Sequence, residues 1–241
     1  MADAVFGEPR LAAIYDAFEG ERRVDLDHYL AIADEFGARS LLDVGCGTGI
    51  LARRAAEQGM EVTGVDPAGA SLEVARAKPG AEKVRWLHGD ATGLPKLQVD
   101  LATMTANVAH VFLTGEDWAA TLRGVHAALR PGGQLVFEVR DPARRAWERW
   151  TRENTYQSLD VPGSGRVETW WDLTEVNVPL VSYRRTYVFA DGATVTSDST
   201  RRFWTRAEIE DSLRAAGYAL DEVRGAPDRP GREWVFIARK P

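Results

Sequence analysis

The chain has 241 residues, a formal net charge of −6 from 36 acidic and 30 basic side chains, and one cysteine. That length suits one well-buried core, the spread of charge opposes a broad nucleic-acid footprint or an anionic-membrane anchor, and a lone Cys46 rules out an intrachain disulfide and fits a reducing compartment. No apolar run approaches the ~20 residues of a membrane helix, and acids at Asp3 and Glu8 leave no secretory core, so a cytoplasmic protein with no membrane or nucleic-acid partner is expected.

In chain order, Leu11, Ile14, Tyr15 and Phe18 lie at helical spacing over residues 8–20, and Asp25 is placed to cap a second helix that carries Leu26, Tyr29, Leu30, Ala33 and Phe36 before Gly37. The run from Leu41 to Gly49 reads as a buried strand, an acid at Asp43, and a turn with glycines at 45, 47 and 49 opening onto a helix. Free N–H groups at such a helix start favour a negatively charged ligand group, and missing side chains let a ligand approach the backbone. The spacing is G-x-G-x-G rather than the dinucleotide G-x-G-x-x-G, and a carboxylate two residues before the first glycine suits an ammonium better than a pyrophosphate. Further strands are predicted at 61–66, 86–91, 99–104 and 134–139, with helices near 48–58, 69–78 and 117–129. Regular strand–helix alternation implies parallel strands in an open doubly wound sheet, with ligands beyond the carboxyl ends of the strands. Asp43, Asp66, Asp90 and Thr105 all fall at those ends.

The run Asp43-Val44-Gly45-Cys46-Gly47-Thr48-Gly49 resembles motif I of the class I S-adenosylmethionine (SAM)-dependent methyltransferases, and the neighbours agree with it. Asp66, with Pro67 after it, stands where the family's ribose-binding acid lies. The Gly89-Asp90-Ala91 turn resembles the adenine-contacting motif, and Leu129-Arg130-Pro131-Gly132-Gly133 the turn before the fifth strand. The resemblance implies SAM as cofactor, S-adenosylhomocysteine (SAH) as product, and cofactor contacts at Asp43, Gly45, Cys46, Gly47, Gly49, Asp66, Pro67, Asp90, Ala91 and Thr105. It also implies a lid from the leading helices, with Tyr15 of the Tyr15-Asp16 pair touching the SAM carboxylate. The competing reading of Tyr15 and Tyr29 is as half-buried core aromatics.

After Pro142 the pattern changes. Residues 143–153 read as a helix carrying Arg144, Arg145, Arg149 and Arg152 beside Trp147 and Trp150; this is a solvated face or, alternatively, a grip for an anionic acceptor. Gly163-Ser164-Gly165 reads as a flexible break, followed by strands at 166–176, 180–189 and 193–203. Val181, Tyr183, Arg185, Tyr187 and Phe189 share one face, and Asp191-Gly192 marks a hairpin. Thr205 to Glu208 form a capping box, and strands near 219–224 and 233–239 close the chain, the final one antiparallel between the fifth and sixth. The expected fold is therefore α/β, a Rossmann-like doubly wound seven-stranded sheet with an inserted antiparallel β subdomain after the fifth strand. The predicted division is lid helices 1–40, SAM-binding core 41–154, acceptor cap 155–204 and closing elements 205–241, all within one methyltransferase domain. Adjacent Trp170 and Trp171 face opposite ways, so one of them at most lines an acceptor site.

Methyl transfer needs alignment and exclusion of water more than a fixed triad, with a base only where the acceptor must lose a proton. His110, after the fourth strand, is the candidate base. His28 is a lesser candidate, while His88 and His126 read as structural. No His or Cys pair has metal-ligand spacing, and no metal is expected. The post-strand loop Thr105-Ala106-Asn107-Val108 lacks the Asn/Asp-Pro-Pro-aromatic signature of enzymes that methylate exocyclic amines. The expected function is transfer of a methyl group to oxygen or nitrogen of a small-molecule acceptor by a monomer or homodimer. The alternatives are a nicotinamide-dependent oxidoreductase and a non-catalytic SAM-binding module.

Overall fold

The computed structural model describes residues 2–20 and 23–241; Met1, Glu21 and Arg22 lie outside it. The chain opens with a single helical turn, α1 (Ala4–Gly7), and α2 (Pro9–Glu19), whose N-terminus is capped by the Glu8 carboxylate accepting from Leu11 N at 2.7 Å. A 3-10 turn over Val24–Leu26 leads into α3 (Asp27–Glu35). Asp25 is therefore not the cap expected of it. It lies inside the turn and accepts two-point hydrogen bonds from the Arg23 guanidinium. Gly37, at φ +59°, does end the helix.

The core sheet follows from β1 (Ser40–Val44), α4 (Ile50–Glu57), β2 (Glu61–Asp66), α5 (Gly69–Ala77), β3 (Val84–His88), β4 (Val99–Met104), α6 (Gly115–Ala128) and β5 (Leu129–Arg140). Later come a one-turn helix, α7 (Arg152–Thr155), then β6 (Gln157–Val161), β7 (Gly165–Asn177), β8 (Leu180–Phe189), β9 (Thr194–Arg202), α8 (Arg206–Ala215), β10 (Ala219–Gly225) and β11 (Glu233–Arg239). Seven strands pair in the order β10-β11-β5-β4-β1-β2-β3, with β11 antiparallel to both its neighbours. Alternate residues of each buried strand feed opposite faces. Leu42, Val44 and Phe137 join Trp118, Leu122 and Val125 of α6 on one side, while Leu41, Val62 and Val136 join Leu51 and Ala55 of α4 on the other. Among the described residues no helix is long and apolar enough to cross a membrane.

The remaining strands form a separate antiparallel sheet, β6-β7-β8-β9. Sequence pattern foretold three of its four strands; β6 escaped notice because an edge strand that buries only Val161 carries little alternation. Its hairpin with β7 is the Gly163-Ser164-Gly165 segment, a turn rather than a flexible break. The 143–153 helix is also corrected. Arg145 sits at φ +45° between two 3-10 turns, which lets both Trp147 and Trp150 reach the interior near Phe203. The four arginines of that segment are exposed.

Candidate functional site

The glycine loop is built from β1 and held by its neighbours. Gly45 and Cys46 donate to the Val65 carbonyl at 2.8 and 3.2 Å, and the Asp66 carboxylate accepts from Gly47 N at 2.8 Å and Ala68 N at 2.7 Å. Glycine is required here for two different reasons. At Gly49 (φ +77°) a Cβ would lie 2.4 Å from the Trp86 ring, so packing forbids it. At Gly47 (φ +53°) a Cβ would meet nothing within 4 Å, so the open side of the loop is bare backbone. Cys46 is buried, with its thiol pushed well up by burial, and acts as a packing residue.

Asp43 is 1% exposed and accepts a hydrogen bond from Thr103 Oγ1 at 3.2 Å. Burial pushes its carboxyl up to about 7, with the nearby Asp66 charge adding to the effect. A buried acid this poorly compensated fits a cationic partner. Asp66 is also raised by burial, against its two backbone hydrogen bonds. Asp90 is exposed and held low by Thr92, whose hydroxyl and N–H both bond Oδ1 at 2.5 and 2.8 Å. Ala91 is buried beneath α6, and the Pro67 carbonyl meets the His88 ring at 3.1 Å. Thr105 is buried at the head of a loop in which Ala106 and Asn107 take φ +59° and +62°. Two successive left-handed non-glycine residues cost about 1 kcal/mol or more each. The conformation is held by Glu138, which accepts from Asn107 N at 2.6 Å and from the Tyr29 hydroxyl of α3. Burial pushes Glu138 up to about 8. Tyr29 thus belongs to the core and braces this loop. Tyr15 is half-buried against Phe6, with ring centroids 5.5 Å apart.

His110 is not free to act as the expected base. Its Nδ1 bonds the Arg202 carbonyl at 2.6 Å, and its Nε2 takes the Arg140 N–H at 3.0 Å. With Nδ1 donating, the neutral tautomer is fixed and the only lone pair is already used. Burial and the Arg140 charge push the ring down to about 3. The side chain is a bracket between β5 and the end of β9. His110→Ala leaves one carbonyl and one N–H unsatisfied, and should cost about 2–4 kcal/mol of stability; thermal unfolding checks this, and an unchanged midpoint would remove the bracket.

One group stands outside what the sequence pointed to. Asp16 of α2 accepts from Thr48 Oγ1 at 2.6 Å, while Lys78, which pairs with Asp16, also donates to the Thr48 carbonyl at 2.7 Å. This ties the N-terminal helix to the glycine loop. Lys78 lies beyond the end of α5, where no spacing rule marks it. Ser71 Oγ of α5 bonds the Phe6 carbonyl at 2.9 Å and extends the seam. Among the described residues no three His, Cys, Asp or Glu side chains cluster as metal ligands do.

Comparison with known proteins gives consistent likenesses. A model described as a methyltransferase domain matches residues 41–133. A putative methyltransferase of Geobacillus sp. (strain WCH70) is 33% identical over 242 residues, covering 95% of this chain and 94% of that one. A cypemycin N-terminal methyltransferase of Streptomyces sp is 35% identical over 106 residues, 44% of this chain; the chain spans only 43% of that relative's length. A solved amino pentose methyltransferase from Micromonospora echinaspora, with SAM bound, superposes with a TM-score of 0.73 at 25% identity over 94% of this chain and 96% of the other.

Proposed function

This chain belongs to the class I SAM-dependent methyltransferases, and we propose that it methylates oxygen or nitrogen of a small molecule held between the N-terminal helices and the four-stranded sheet. The observation that carries the reading is the convergence of Asp43, Asp66, Asp90 and Thr105 at the carboxyl ends of β1 to β4, around a glycine loop whose Gly47 side is open. In this reading Asp43 takes the cofactor's ammonium, Asp66 its ribose hydroxyls, and Asp90 with Ala91 the adenine edge. Gly45, Gly47 and Gly49 shape the loop against which the cofactor lies, and Tyr15 and Thr105 close its amino-acid end. Cys46 and Pro67 contribute backbone.

SAM supplies a methyl group already activated on a positively charged sulfur, so the protein's task is to align the acceptor and keep water out. Residues 1–40, of which 2–20 and 23–40 are described, are read as the lid, and β6 to β9 as the acceptor cap. The sheet's inner face is aromatic, with Trp171 stacked on Tyr183 at 4.7 Å, while Trp170 turns outward beneath Arg152. An aromatic wall of this kind suits a small organic acceptor. Sugar and natural-product methyltransferases among the solved relatives support this choice of acceptor.

The test is calorimetric titration of the full chain with SAH, and with NADH beside it. Micromolar binding of SAH alone is expected. Binding of NADH alone would return the chain to nicotinamide chemistry and sink the proposal.

A further inference from the structure

The inner face of the four-stranded sheet carries two apolar clusters. Val167, Tyr187 and Phe189 pack on Val5, Leu11, Ile14 and Phe18 of the N-terminal helices, and Val181 and Tyr183 pack on Trp147, Trp150 and Phe203. Between them lies a polar belt. It holds Thr169 of β7 and Arg185 of β8, with Ser197 of β9 opposite Arg185, and it continues along β9 past Ser199, opposite Tyr183, to Arg201, opposite Val181. Arginine in the middle of a strand face otherwise made of Val181, Tyr183, Tyr187 and Phe189 has no packing reason to be there.

Both guanidinium groups are deep. Arg185 is 5% exposed, and its Nη1 meets Glu19 at 2.9 Å while Nε meets Thr169 Oγ1 at 3.2 Å. Arg201 Nη1 meets Asp3 at 2.8 Å, and the Asp3 carboxylate also accepts from Ser199 Oγ at 2.8 Å. The arginines are anchored in the sheet, whereas both carboxylates come from the N-terminal segment and stand nearer the rim, with side chains 34% and 25% exposed for Glu19 and Asp3. Each carboxylate touches its guanidinium through one nitrogen. A guanidinium offers five N–H donors in a planar fork, and Nη2 of Arg185 takes part in neither contact above. Aromatic faces flank it, with Tyr187 at 4.9 Å, Trp171 at 5.7 Å and Phe18 at 5.8 Å.

The belt lies against α2, the helix that Asp16 ties to Thr48 of the glycine loop. Tyr15, next to Asp16 on α2, lies beside it: burial and the Glu19 charge push its phenol up, against the pull of the Arg23 and Arg185 charges. Arg23 itself is engaged with Asp25. A buried ion pair of this kind adds little net stability, since desolvation offsets the attraction. Its apolar neighbours, such as Phe18 against Tyr187, already fasten the helix to the sheet.

We propose that Arg185, seconded by Arg201, binds an anionic group of the methyl acceptor, a phosphate or a carboxylate, in exchange for the Glu19 carboxylate. The proposal rests on the methyltransferase reading above and adds the chemical class of the acceptor. Exchange of one anion for another keeps the buried charge balanced, and Glu19 turns to the solvent it already meets. A phosphate or carboxylate then engages the fork through two nitrogens instead of one.

The experiment follows thermal unfolding of the SAH-saturated full chain in pyrophosphate, inorganic phosphate, malonate and acetate, with chloride holding ionic strength constant. An anion that binds the folded chain raises the unfolding temperature saturably. The expected result is a saturable rise in the millimolar range with pyrophosphate or malonate, the stronger of the two naming the source as phosphate or carboxylate. Arg185→Gln should weaken the response about tenfold or more, the size of one charge-assisted hydrogen bond. Glu19→Gln, at the end of a helix, removes the competitor and should strengthen it at least about threefold by the same reckoning. Arg184→Gln, on the opposite face and paired with Asp198, should leave it unchanged. No saturable response to any of the four anions overturns the proposal, as does an unaltered or weaker response in Glu19→Gln. SAH calorimetry on the same samples separates the two claims: SAH binding without an anion response removes this inference alone, and loss of SAH binding removes the reading beneath it.

Discussion

Asp43→Asn should abolish SAH binding at pH 8, weakening it by about two to three orders of magnitude, while the chain stays folded. Removing one partner of a buried ion pair costs about 3–5 kcal/mol, and the ligand's ammonium would be the stranded partner. The fold should survive because asparagine matches the carboxyl in shape and can still accept from Thr103. The pH profile makes the prediction specific. Because the unliganded Asp43 carboxyl is pushed up to about 7, it is largely protonated at pH 6 and ionised at pH 8. A cationic ligand binds the ionised form, so affinity for SAH should rise between pH 6 and pH 8 in the natural chain and lose that slope in the variant. Stability runs the other way. A carboxyl whose folded pKa exceeds its unfolded value of 3.8 favours the folded state fully below that value, and the contribution is lost as pH rises through about 7. Glu138, pushed up to about 8, acts in the same sense. Unliganded Asp43→Asn should therefore be at least as stable as the natural chain at pH 8. Calorimetry across pH 6–8 and thermal unfolding at pH 8 are the measurements. Undiminished SAH affinity in the variant would falsify the cofactor assignment of Asp43.

How much of this was legible beforehand varies with the kind of residue. Asp43, Gly45, Gly47 and Gly49 lie within seven consecutive positions, Asp66 ends β2 and Asp90 follows β3 by two residues, so local order alone brings them to one edge of the sheet. The capping box was equally local, and Thr205 and Glu208 do exchange their bonds as expected. The role of His110 has no local signature because it depends on two backbone groups from β5 and β9, 30 and 92 residues away. Trp147 and Trp150 sit three apart, a helical spacing, yet what orders them is the Tyr183 and Phe203 surface they bury against. The Asp16–Thr48–Lys78 seam joins three elements and has no periodic signature. Arg185 did leave one trace, a lone charge in register with Val181, Tyr183, Tyr187 and Phe189. What gives that trace meaning is the carboxylate of Glu19, 166 residues earlier.

Gly124→Ala tests the link between the core and the adenine side of the site. In most helices that substitution stabilises by about 1 kcal/mol, because glycine gains the most freedom on unfolding. At Gly124 of α6 the sign should reverse. A Cβ there would lie 1.9 Å from the Ala91 carbonyl oxygen and 2.7 Å from the carbonyl carbon, so the helix backbone rests directly on the turn that carries Asp90 and Ala91. Backbone cannot rotate away as a side chain does, so either α6 or the turn must move. Overpacking of this kind costs about 1–3 kcal/mol even after the helical gain, which for a chain of this length lowers the unfolding midpoint by roughly 2–4 °C per kcal/mol. Gly115→Ala is the control: it is the first residue of the same helix, and its added Cβ meets nothing within 4 Å. That variant should match or exceed the natural chain in stability and bind SAH unchanged. Gly124→Ala should unfold earlier and also bind SAH more weakly, since displacing Ala91 carries Asp90 with it. Equal midpoints for the two variants would show that α6 does not set the position of the turn. A lower midpoint with undiminished SAH affinity would place the contact in the core and take Asp90 and Ala91 out of the cofactor site.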